Sequence, residues 1–196
     1  MKLVALDITK RHVKLTGLTP LMFDRYPGDN KTTLDVADKM YFTPGTKKLV
    51  IPALNVRSFL SAKNTTSVAK HIGGKQYKAL SDALLSFTQI TPLDIPICRN
   101  GEQIEFHGFI DGIDDQAKIH VEHHVARLDK GIPNPKERPV IELPWEIEFD
   151  ISLFKNKDVD EQLLLRAFQV GGLSLGLGTF RGSYGKFQVT TWGAIE

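Results

Sequence analysis

The chain has 196 residues, 41% of them hydrophobic, enough apolar side chain for a substantial core in one large domain or a compact domain with an insertion. No apolar run approaches bilayer-spanning length and MKLVALDITK lacks the long apolar region of a secretory signal, so a cytoplasmic protein with no membrane partner is expected. The lone Cys98 excludes an intrachain disulfide and a cysteine-based zinc site, and a net charge of +2 by itself points to no partner.

In chain order, residues 3–8 and 12–18 alternate apolar and polar, which predicts one long strand broken at Thr9-Lys10-Arg11. Residues 19–33 hold two prolines and a glycine without a sustained period and read as a loop. Its Met22, Phe23 and Tyr26 either tuck against the core or, in the case of Tyr26 with Arg25, meet a nucleic acid. Thr33 can cap a short helix reaching Met40, and Pro44 to Lys48 read as the turn of a hairpin. Val56, Phe59 and Leu60 stand at helical spacing and predict a helix over 53–63 with Asn55, Arg57 and Lys63 on its polar face. After Gly73-Gly74, the spacing of Tyr77, Leu80 and Leu84 predicts another over 76–86.

Residues 87–97 read as a strand that Pro92 and Pro96 divide or confine to an edge. Asn100-Gly101 centres a hairpin turn that returns through 103–110, and 118–127 alternates as a further strand. Residues 128–139, with three prolines and a glycine, read as an exposed loop that orders against a partner. Trp145, Ile147, Phe149, Ile151 and Leu153 fall on one face and make 140–153 the clearest strand. Asp158 and Glu161 have capping-box spacing ahead of the stripe Val159, Leu163, Leu164, Ala167 and Phe168, and Gly171 or Gly172 would end that helix. A strand over 187–192 closes the chain. The order is α+β: a single domain over 1–196 with a β-α-β skeleton and a β-rich insertion over 91–154.

Charge is unevenly placed. From Lys39 to Ser81 there is no acid, while Lys39, Lys47, Lys48, Arg57, Lys63, Lys70, Lys75 and Lys78 carry positive charge; 162–195 is also acid-free. Such asymmetry points to a polyanion on one face, against the plainer reading of a solvated basic surface. The second window contains Gly171, Gly172, Gly176, Gly178, Gly182 and Gly185 around Arg181 and Lys186. Neither the dinucleotide spacing nor a Walker A loop fits, because this stretch follows a helix, precedes a strand and has the wrong intervals. What remains is a platform of backbone N–H groups for phosphates, or glycines that only permit tight turns and close packing. His120, Glu122 and His124 share one strand face, with His123 on the other; a two-histidine, one-carboxylate metal site and an exposed polar face are both open, the latter the plainer.

Val50-Ile51-Pro52-Ala53-Leu54-Asn55-Val56-Arg57-Ser58-Phe59-Leu60, taken with Gly176-Leu177-Gly178 through Gly185-Lys186-Phe187, resembles the repeat-associated (RAMP) proteins of CRISPR systems, especially Cas7-like backbone subunits and their relatives in phages and mobile elements. The likeness covers the two ends of the chain; residues 91–154 carry no family signature. It implies a modified RRM, or ferredoxin-like, core that binds single-stranded RNA or DNA along its phosphates without a cofactor or metal. It further implies head-to-tail assembly as a homo-oligomer or with Cas-type partners, through a thumb-like hairpin. Backbone contacts would carry over onto Arg57, Lys63, Arg181 and Lys186; Arg25, Tyr26, Lys70, Lys75, Gly176, Gly178 and Gly182 complete the expected interface. Two alternatives are a RAMP-type metal-independent endoribonuclease, for which His12 and His71 are available, and a non-enzymatic interaction protein that mimics or blocks a Cas7-like subunit or builds an assembly.

Overall fold

The computed structural model describes residues 7–29, 31–63, 66–127 and 133–195. They form β1 (Ile8–Gly17), β2 (Leu21–Met22), β3 (Val50–Pro52), α1 (Ala53–Ser61), α2 (Val68–Gly73), α3 (Tyr77–Phe87), β4 (Thr88–Thr91), β5 (Asp94–Arg99), β6 (Glu102–Gln103), β7 (Ile113–Asp114), β8 (Ile119–Arg127), β9 (Pro133–Ile141), β10 (Glu146–Phe154), α4 (Glu161–Ser174) and β11 (Phe187–Ala194). Period-two alternation in β1 and β10 turns Val13, Leu15, Ile147, Phe149 and Ile151 to one face, where they are buried, and leaves Lys14, Glu148 and Asp150 on the other.

The central sheet runs β11-β1-β10-β5-β3, with β4 also on β10 and β6 on β5. All its strand pairs are antiparallel. With α1 to α3 between β1 and β4, and α4 between β10 and β11, the order β11-β1-β10-β4/β5 is that of a ferredoxin-like, RRM-type α+β core. The helices lie on the buried face. Phe59 of α1 meets Phe168 of α4 at 6.1 Å and Phe187 of β11 at 5.4 Å, and Phe168 meets Phe149 of β10 at 5.9 Å. A methyl group on Gly171 would collide with Val68 and Phe59, so the absence of a side chain there lets α4 lie directly on α1 and α2.

A second sheet, β2-β9-β8-β7, takes three of its strands from the 91–154 segment and one from 21–22, and its long β8–β9 hairpin pairs from Ile119↔Ile141 to Arg127↔Pro133. β5, β6 and β10, inside the 91–154 segment, belong to the central sheet instead.

Several expectations need correction. Residues 133–139 are strand, not loop, and 128–132 lie outside the described residues. Pro133, Pro135 and Pro139 are spaced by even intervals, so all three missing N–H groups point to the same edge, away from β8; the ladder loses nothing. The strand expected over 140–153 is two strands in different sheets, parted before the fully buried Trp145, whose Nε1 donates to Thr19 O at 2.8 Å. β1 is continuous through Thr9-Lys10-Arg11, which pair with Leu153, Ser152 and Ile151 of β10 while Glu161 holds Arg11 at 2.7 Å from both Nε and Nη2; residues 3–6 of the expected strand lie outside the described residues. Only a 3-10 turn, Ala37–Lys39, forms where a helix to Met40 was expected. The α4 cap is Asp160, which accepts from Leu163 N, and the helix continues past Gly171 and Gly172.

Phe168→Ala is expected to lower unfolding free energy by about 3–5 kcal/mol in urea denaturation, since the ring fills the junction of α1, α4 and the sheet. Lys75→Ala, on an exposed turn, should change it by less than about 0.5 kcal/mol.

Candidate nucleic-acid interface

The glycine-rich stretch between α4 and β11 consumes most of its own donors. Gly176 N donates to Gly171 O at 3.0 Å, Leu177 N to Gly185 O at 2.9 Å, Gly182 N to Leu175 O at 2.6 Å and Gly185 N to Pro20 O at 2.7 Å. Thr179 N reaches Met22 O at 2.9 Å, and Lys186 N reaches Thr19 Oγ1 at 3.0 Å. The expected platform of free N–H groups is therefore a plug that fastens the 17–23 segment to the core. Gly176 (φ +82°), Gly178 (φ +75°) and Gly185 (φ +70°) also sit where a methyl group would strike neighbouring backbone, so close packing explains these glycines. Gly182 (φ +94°) is open to solvent but its N–H is used.

The expected cations divide into two sets. Arg57 Nη2 donates to Leu85 O at 2.8 Å, joining α1 to the end of α3, and Lys63 pairs with Asp82. Arg181 Nη1 donates to Thr66 O at 2.7 Å, and burial pushes its guanidinium down from the usual range. These three brace the fold. Arg25 is exposed with its guanidinium 5.6 Å from the Tyr41 ring, and its backbone N–H donates to Lys39 O at 3.1 Å. Tyr26 beside it is 62% exposed. Lys75 is exposed, Lys70 lies 6.0 Å from the Tyr77 ring, and the half-buried Lys186 follows the glycines.

The cluster at the root of the hairpin was only half visible in the sequence. Glu122 Oε2 accepts from Tyr184 Oη at 2.5 Å and bonds His124 Nε2 at 2.6 Å, while Oε1 meets His120 Nε2 at 3.2 Å. The His-x-Glu-x-His alternation put three groups on one face of β8, but nothing marked Tyr184 as their partner. Phe180 stacks on His124 at 4.9 Å and receives the Arg138 guanidinium on its ring at 5.4 Å. Arg138, 5% exposed, donates from Nε and Nη2 to Asp24 at 2.9 Å. Burial works to raise the Glu122 carboxyl, but the hydrogen bonds from Tyr184, His120 and His124 outweigh it and hold it below the usual range; Tyr184 is pushed up to about 12 by burial and by Glu122. Among the described residues no group of three or more His, Cys, Asp or Glu is arranged to hold a metal ion; the carboxylate lies between the imidazoles as their hydrogen-bond partner.

Beside this cluster a cleft of about 620 Å³ opens between the 33–39 segment and the hairpin, lined by Val36, Lys39, His123, His124, Val125 and Lys136 among others. Lys39 Nζ donates to Glu137 O at 2.6 Å across it. The open face of the central sheet is different. Lys14 is held by Glu146 at 2.9 Å and Glu148 at 2.8 Å, and His12 by Asp150 at 2.9 Å, so carboxylates outnumber cations where an RRM-type sheet would be expected to present its platform. No helix among the described residues is long and apolar enough to cross a membrane.

No protein-family model matches the sequence, and no curated protein matches it. Among solved structures the fold is similar to a chain in the cryo-EM structure of the Type III-B Cmr-beta bound to cognate target RNA, with a TM-score of 0.58 and 14% identity over 96% of this chain and 61% of that one. The chain thus spans under two thirds of the length of its structural neighbour.

Because Glu122 is held below the usual carboxylate range, its bonds stabilise the fold above the unfolded carboxylate pKa and are lost as pH falls through the folded one. Glu122→Gln should therefore be less stable than the wild type at pH 7, and urea unfolding should show that gap closing as the pH falls below the usual carboxylate range.

Proposed function

We propose that the protein binds single-stranded nucleic acid, RNA in the first instance, with the strand lying in the cleft between the 33–39 segment and the middle of the β8–β9 hairpin. The observation that carries this is that Lys39 and Lys136 enter one cleft from two segments and balance its Asp35 and Glu137, with Arg25 bonded through its backbone to Lys39, while the open sheet face is acidic. The likeness of the fold to a chain of an RNA-bound complex supports it. Lys39 gives one of its three ammonium protons to Glu137 O and keeps two for a phosphate. The exposed rings of Tyr26 and His123 offer faces on which bases can stack. Lys70, Lys75 and Lys186 extend the positive surface, whereas Arg57, Lys63 and Arg181 act as braces.

In this reading the protein is a Cas7-like RAMP subunit, the β8–β9 hairpin is the thumb-like element, and assembly is head-to-tail along the strand with further copies or Cas-type partners. A heterologous contact of that kind does not close on itself, so assembly grows with strand length.

Affinity for a fluorescent single-stranded RNA should fall with salt, with a log–log slope of about −0.7 for each phosphate contacted. Lys39→Ala with Lys136→Ala should make the slope shallower by about 1.4, and Lys63→Ala should leave it unchanged. A slope of zero in the wild type, or one indifferent to the double substitution, would overturn the proposed cleft.

A further inference from the structure

We propose that the groove between α1, the end of α3 and β4 receives an extended segment of a partner protein. That segment adds to β4 as a strand, sets aliphatic side chains against Leu54, Leu85 and Leu93, and places a carboxylate on Arg57. The groove has a volume of about 430 Å³ and shares no lining residue with the cleft along the hairpin, so the inference does not rest on the proposed strand binding.

The groove presents apolar side chains to water. Leu93 is 77% exposed, Leu54 67% and Leu85 42%, and all three line it. Single exposed leucines need no explanation, but three around one groove make a surface that gains by losing water. The backbone beside them is open as well. β4 pairs through one edge with β10, from Thr88↔Leu153 to Thr91↔Asp150, and no other strand pairs with it among the described residues. Such an edge offers N–H and C=O groups to an added strand, whose alternate side chains then fall toward one face.

Charge sets the chemistry of the partner. Arg57 is the one ionic residue lining the groove, and neither Asp nor Glu lines it. Its Nη2 donates to Leu85 O at 2.8 Å, but its Nε is buried with no hydrogen-bond partner. A guanidinium carries five N–H donors, so Arg57 can brace α1 to α3 through one and keep others for a ligand. The paired oxygens of a carboxylate match that planar fork. The first turn of α1, whose Ala53 and Leu54 line the groove, holds no acid and no capping side chain, which favours negative charge further. One cation among leucines is too few for a nucleic-acid backbone, which needs several phosphates neutralised. An aliphatic segment with a single acid fits.

The test pans a display library of random octapeptides on the full chain and measures the enriched peptides by fluorescence anisotropy. The enriched peptides should share one Asp or Glu flanked by aliphatic residues at alternate positions. Leu54→Glu and Leu93→Asp, both at exposed positions, should each weaken a selected peptide at least about tenfold, as should changing the peptide's acid to its amide. Proline at the centre of the peptide should abolish binding, because it removes an N–H that strand pairing uses. Arg57→Gln should also lose at least about tenfold; since Arg57 bonds Leu85 O as well, the two leucine variants decide the question if that variant misfolds. Octanoate, which offers a carboxylate and an aliphatic chain without a peptide backbone, should not displace the peptide at equal concentration. No enrichment above the bare support, a consensus without an acid, unchanged affinity in Leu93→Asp, or displacement by equimolar octanoate would each overturn the proposal, the last by showing a small carboxylate ligand in place of a strand.

Discussion

The hydroxyl of Tyr184 reaches across the boundary between the two sheets to Glu122, and the geometry of the hairpin depends on that bond. Tyr184 is placed by the glycine-rich stretch, whose N–H groups are fastened to Gly171, Leu175, Pro20 and Met22 carbonyls. Within the same stretch Phe180 adopts φ +53°, a left-handed conformation that costs an aromatic residue about 1 kcal/mol or more. Its ring lies between His124 and Arg138, so packing offsets the strain. The stretch is thus a rigid strut. It holds β8 from below and Arg138 of β9 from the side, and Asp24 closes the same cluster from the 17–29 segment.

That arrangement decides where a polyanion can lie. On an RRM-type core the open sheet face is the usual platform, but here Glu146, Glu148 and Asp150 surround Lys14 and His12, and the hydrogen bond that His12 donates to Asp150 leads the interactions that raise its imidazole above its ordinary range. A phosphate backbone approaching this face meets more negative than positive charge. Along the hairpin cleft the acidic excess disappears, because Lys39 from one segment and Lys136 from another stand against Asp35 and Glu137, and the Glu122 carboxylate beside it is already engaged by three donors.

Much of the core was legible from the sequence. Trp145 to Leu153 alternate as β10 does, Val56, Phe59 and Leu60 mark α1, and Asn100 and Gly101 take the positive φ values their turn requires. The site was less legible, for physical reasons. A run of glycines carries the same sequence signal whether its N–H groups face solvent or the chain's own carbonyls. The acid-free window hid the fate of its cations: Lys63 meets Asp82, one residue past the window, and Arg57 meets a carbonyl, which no charge count registers. The hairpin was obscured because proline content reads as loop unless the even spacing of Pro133, Pro135 and Pro139 is weighed against a strand edge. Glu122 looked like surface because its partner Tyr184 is 62 residues away.

The central claim is that nucleic acid meets the cleft along the β8–β9 hairpin and not the open sheet face. Photocrosslinking of a 4-thiouridine RNA followed by peptide mapping tests it most directly. The account predicts crosslinks at Tyr26, Lys39, His123 and Lys136. Crosslinks concentrated at Thr16, Gln188 and Glu148 on the open face of the central sheet would contradict it.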